Sequence, residues 1–150
     1  MSQPRSAKAE QLFEDIRQAC PSFVPVDDEG ASDWQDEPNP LDYIRISGLA
    51  RHLTKLVGDG LMDLVVPVLD LAENALTEGD EYVRELVVVG LLEDLQNDLL
   101  HTEGRVRLVD VRAQLRPKAQ VAWDELMLFW HGPSAEARKS LPPGSLPDDS

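Results

Sequence analysis

Apolar side chains recur at three- and four-residue intervals along most of this chain, the spacing of one face of a helix. In residues 6–20 the stripe is Ala9, Leu12, Phe13, Ile16 and Ala19, and Pro21 ends it. A second helix is predicted over about 41–57, opened by Asn39 and Pro40, with Ile46, Leu49, Leu53 and Leu56 on one side. Gly-Asp-Gly at 58–60 breaks the pattern. A third helix follows over about 61–77, carrying Leu61, Leu64, Val65, Val68, Leu69, Ala72 and Leu76. Pro67 lies inside it and is expected to kink it. Asp80 is placed to cap a fourth helix that runs to about His101 and is the most apolar of all.

Residues 103–116 are ambiguous. Val106, Leu108 and Val111 partly alternate with charges as in a strand, but Leu108, Val111 and Leu115 fit a helix as well. No second strand offers itself as a partner, so helix is the better reading. Pro117 suits the first turn of a final helix, in which Trp123, Leu126, Met127 and Trp130 form the core-facing stripe. The prediction is therefore all-α, with five to six helices in consecutive antiparallel hairpins. Residues 1–132 form one domain, and the Pro-, Ser- and Gly-rich residues 133–150 form a disordered tail. Residues 21–40, with four prolines and many acids, read as an irregular acidic loop within that domain.

Charge changes this picture most. Asp and Glu number 28 against 14 Lys and Arg, for a net charge of −14. Nucleic acid would be repelled, and a basic protein would be attracted and steered in; otherwise the acidity serves solubility. Between Arg17 and Arg45 no basic residue occurs, while Asp27, Asp28, Glu29, Asp33, Asp36, Glu37 and Asp42 all do. Trp34 sits among these acids and either pins the loop to the body or anchors a partner. Those eight residues are the expected partner-binding set.

Catalytic signals are weak. Cys20 is the single cysteine, and His52, His101 and His131 are isolated in sequence. Asp98 and His101 are spaced for a shared metal, but a carboxylate-bridged pair of metals needs a second such motif. No phosphate-binding glycine loop, GxSxG or HExxH occurs. The expectation is no enzyme activity, no cofactor and no metal. Residues 1–20 mix acids into their apolar pattern, unlike a secretion signal, and no apolar run reaches the roughly 18 residues of a membrane span. A cytoplasmic protein without membrane contact is expected.

Glu93 and Asp94 interrupt the apolar run that begins at Leu86. Neighbours on a helix diverge by about 100°, so they cannot easily share one reacting bond. They read as partly buried carboxylates, satisfied by Tyr82, Arg84, Gln96, Asn97 or loop donors.

Two stretches carry a family resemblance. VVVGLLEDLQN at 87–97 resembles the GFLEDLQN-like helix of a family of small, acidic, all-helical and uncharacterised bacterial proteins. LRPKAQVAWDELMLFWHG at 115–132 resembles the closing segment of that family. Gly90, Glu93, Asp94, Leu95, Asn97, Trp123, Leu126, Phe129 and Trp130 match its pattern, and all suit structural roles. Proteins of this kind look like immunity proteins of polymorphic toxin systems. The resemblance implies an antitoxin that binds a cognate, basic toxin effector and occludes its active or substrate-binding surface. The alternative is a non-catalytic helical adaptor or regulatory subunit of another complex.

Overall fold

The computed structural model of the chain describes residues 7–32, 38–101 and 106–131, and all the secondary structure there is helical. α1 spans Ala7–Ala19; a single 3-10 turn, Pro21–Phe23, leads into α2, Val24–Ser32. α3 spans Pro38–Gly58 and α4 Met62–Glu78. α5 is continuous through three stretches: Glu81–Glu85, a π-helical Leu86–Leu92, and Glu93–Leu100. α6, Val106–Gln114, and α7, Pro117–His131, complete the fold.

Each helix expected from periodicity is present, including α6 where strand and helix competed. α4 runs unbroken through Pro67. The correction lies at residues 21–32 and 38–40, within the stretch 21–40 expected to be an irregular loop. The prolines there start helices: Pro21 opens the 3-10 turn, Pro25 is the second residue of α2, and Pro38 and Pro40 are in the first turn of α3. In a first turn the missing N–H costs nothing, because it would have had no partner within the helix. Residues 132–150, including the expected tail, lie outside the described residues, as do Asp33, Trp34, Asp36 and Glu37.

α3 and α5 form the centre and pack along each other, with α2 on α3, α1 on α4, and α7 across α4 and α5. The π stretch explains how α5 buries so much of its girth. Leu86, Val87, Gly90, Leu91 and Leu92 are all buried. Gly90 is required by proximity, since a Cβ there would lie 2.6 Å from Ile46 Cγ2 on α3. At the far side of α5, Gln96 is fully buried and donates to the Trp123 carbonyl at 2.9 Å, tying α5 to α7.

The helix ends are closed by specific partners. Asp80 accepts from the Val83 N–H at 2.9 Å and caps α5, as its position predicts. α3 ends in a Schellman closure: Leu61 N–H bonds the Leu56 carbonyl and Gly60 N–H the Val57 carbonyl. Gly60 takes φ +79° there, a region open to glycine. The start of α7 is capped from afar: Glu73 on α4 accepts from the N–H groups of Lys118 and Ala119. Such a carboxylate satisfies two orphan donors and faces the positive end of the helix.

Candidate functional site

The 3-10 turn and α2 meet the body through two side chains one turn apart, Phe23 and Asp27, both buried. Asp27 is held by a pair of arginines. Arg45 on α3 donates Nε–H to Oδ1 at 2.8 Å and Nη2–H to Oδ2 at 2.6 Å, a bidentate fork. Arg17 on α1 adds Nη1–H to Oδ2 at 2.8 Å and reaches Asp28 Oδ1 at 2.9 Å. Arg45 also lies over the Phe13 ring, 4.0 Å from its centroid. Burial alone would raise the Asp27 pKa, but the hydrogen bonds and charges of Arg45 and Arg17 outweigh it and hold the carboxyl below its ordinary value.

This arrangement corrects two of the expected partner contacts. Asp27 is only 4 % exposed and is neutralised from within by the two arginines that bracket the base-free stretch. Asp42 is 1 % exposed and accepts from the Tyr82 hydroxyl at 2.7 Å. Neither is presented to a partner in this fold. Asp28 and Glu29 are exposed on α2 beside Val26, an exposed apolar side chain. The buried pair orients this outer face.

The same corner holds a serine–histidine pair that sequence spacing could not show. Ser22 Oγ and His52 Nε2 are 2.8 Å apart, and the Phe23 ring lies against the imidazole. Burial, then the charge of Lys55, lowers the His52 pKa, which favours a neutral ring at pH 7. Buried Cys20 has its Sγ 3.6 Å from Ser22 Oγ. Among the described residues no carboxylate orients the other ring nitrogen, so the pair lacks the third member of a nucleophilic triad. Nor does any group of three His, Cys, Asp or Glu among the described residues meet as a metal site.

Asp94 is satisfied by a residue that local spacing does not reveal. Ser47 on α3 donates Oγ–H to Asp94 Oδ2 at 2.6 Å. Three of the expected donors bond elsewhere: Tyr82 to Asp42, Arg84 to the Gly79 carbonyl and Gln96 to that of Trp123. Asp94→Ala is expected to lower stability by about 1–2 kcal/mol by orphaning the Ser47 hydroxyl. A double-mutant cycle with Ser47→Ala in chemical denaturation checks it, and strict additivity of the two would refute the pairing.

Asp98, one turn further on, is half-buried. Burial and then the charge of Asp94 raise its pKa, offset in part by Arg51 and His101. Its ionised form is therefore disfavoured in the fold relative to the unfolded chain. As pH falls through the folded pKa towards the unfolded value of about 3.9, the folded chain takes up the proton first and gains stability. Asp27 has the opposite sign: its contribution is complete above about pH 3.9 and is lost below, through its depressed folded pKa. Asp98→Asn is expected to raise the Tm at pH 7, with the gap to wild type closing on mild acidification. Thermal melts between pH 7 and pH 4 read this directly.

A profile of one protein family, described as a domain of unknown function (DUF7674), matches residues 13–131. The chain belongs to the DUF7674 family. The DUF7674 match runs from Phe13, the ring beneath Arg45, to His131, the last residue of α7. It includes Arg17, Asp27 and Arg45, the helices of the central pair, and Glu73 with the helix it caps. No curated protein matches the chain, and no solved structure does. No helix among the described residues is long and apolar enough to cross a membrane.

Proposed function

We propose that this chain is an immunity protein, a non-catalytic antitoxin that binds a basic toxin effector in the cytoplasm and covers its active or substrate-binding surface. The observation that carries the reading is the presentation of α2. Two arginines fix Asp27 from within, and this leaves Val26, Asp28 and Glu29 facing outward on a short helix. The acids Asp33, Asp36 and Glu37 and the aromatic Trp34 follow directly in sequence. Acidic groups around an apolar anchor suit the rim and centre of an interface with a basic protein. The net charge of −14 favours fast, salt-sensitive association with such a partner. In this reading Asp27 and Asp42 position the surface rather than touch the toxin.

The test is co-expression with the product of the adjacent reading frame in a sensitive host. Wild type protects; Asp28, Glu29, Asp33, Asp36 and Glu37 replaced together by Asn or Gln associates more slowly, and Trp34→Ala dissociates faster. An adjacent frame that encodes no toxic product, within an operon of unrelated enzymes, favours the adaptor reading instead.

A further inference from the structure

A second feature lies beyond α2, at the far end of α3. A cleft of about 530 Å³ opens between the α3–α4 turn and α6, lined by Val57, Gly58, Gly60, Met62, Asp110 and Ala113 among others. Its size suits the side chains of a short peptide segment. Its walls are mixed: Val57, Met62 and Ala113 are apolar, Asp110 and Gln114 polar. Two further apolar side chains stand in water, Leu61 at 43 % exposed and Val109 at 67 %. Each adjoins a lining residue in sequence, Leu61 beside Gly60 and Met62, Val109 beside Asp110.

The electrostatics of the cleft select the occupant. α3 ends at Gly58 and α6 at Gln114, so two helix C-termini, each a partial negative charge, converge on it. The Asp110 side chain adds a full charge to the lining. The positive N-terminus of α4 also abuts the cleft, but Asp63 in its first turn offsets it. Two nearby cations are engaged: Lys55 pairs with Asp59, and Arg112 with Asp124. The geometry points to this cleft as the docking site for a basic, leucine-bearing segment of a protein partner, with the apolar side chain between Val57 and Met62 and flanking lysines or arginines at Asp110. This rests on the reading of the partner as a basic protein. From His52, beside α2, to Gly58 is about 9 Å along α3, since each residue adds about 1.5 Å. One partner can therefore engage both features.

The test is an NMR titration of the full chain with a capped hexapeptide of lysines and leucines, and with its glutamate–leucine counterpart. The basic peptide should shift the Val57, Met62, Val109 and Ala113 signals, and the acidic peptide should not. Asp110→Lys, at an exposed site, should weaken the basic peptide about fivefold or more at low salt, and 0.5 M salt should weaken wild type similarly. Val109→Ser should weaken it while leaving the salt response in place. Equal binding of both peptides, shifts confined to α2, no shifts at about 10 mM peptide, or indifference to Asp110→Lys each overturn the proposal. Protection assays separate it from the immunity reading. Full protection by the Asp110→Lys, Val109→Ser double variant would overturn the cleft as a toxin-docking site and leave the immunity reading standing. Absence of protection by wild type, with peptide binding at the cleft intact, overturns the immunity reading and supports the cleft.

Discussion

Asp27→Ala is expected to destabilise the chain by about 3 kcal/mol and to release α2 before the rest unfolds. The carboxylate is buried and satisfies two arginines at once, and removing one member of a buried ion pair typically costs ~3–5 kcal/mol. The lower figure applies because Arg17 and Arg45 keep 27 % and 17 % of their side-chain surface in water and can be resolvated there. For a chain of this length the Tm should fall by roughly 6–12 °C. Hydrogen exchange locates the effect: amides of α2 should lose protection first, because the buried carboxylate that ties it to α1 and α3 is gone. Uniform loss of protection across α3 and α5 would instead make Asp27 an integral part of the core. Asp27→Asn retains one acceptor and should fall between the two.

Gly90→Val is expected to cost about 2–3 kcal/mol. A Cβ at this position meets the Cγ2 of Ile46, a buried β-branched side chain that cannot swing aside, and overpacking of this kind costs ~1–3 kcal/mol. The γ methyls of valine add further atoms in the same gap. Ile46→Ala should relieve part of the penalty, so the double variant should be less destabilised than the sum of the two singles. Denaturant melts of the four proteins measure the coupling, and its absence would mean that α3 and α5 do not approach there.

The helices were legible in the sequence because each carries its own periodic stripe, and the stripe is local information. Asp80 before α5 and Pro117 at the start of α7 were legible for the same reason. The prolines of 21–40 misled, because proline reads as a breaker in composition yet sits at ease in a first turn. The candidate surface was half legible. The acids of α2 stood out by charge, but the inward turn of Asp27 depends on arginines ten residues before and eighteen after it. The absence of any base between Arg17 and Arg45 was the available clue, since those two residues turned out to be the neutralising pair. Ser47 with Asp94, Ser22 with His52, and Glu73 with the first turn of α7 are separated by 30 residues or more, and no local pattern encodes them.

The π stretch of α5 also acts as a phase-setter. An α-turn advances each residue by about 100°, so one residue more or fewer in Leu86–Leu92 swings everything beyond it by roughly that angle. Tyr82, before the stretch, reaches Asp42; Asp94 and Gln96, after it, reach Ser47 and the Trp123 carbonyl. The widened turn keeps these three contacts in register with one another. A single-residue deletion between Val88 and Gly90 would restore ordinary winding yet turn Asp94 away from Ser47 and Gln96 away from α7. In this helix, length is a constraint as strict as composition.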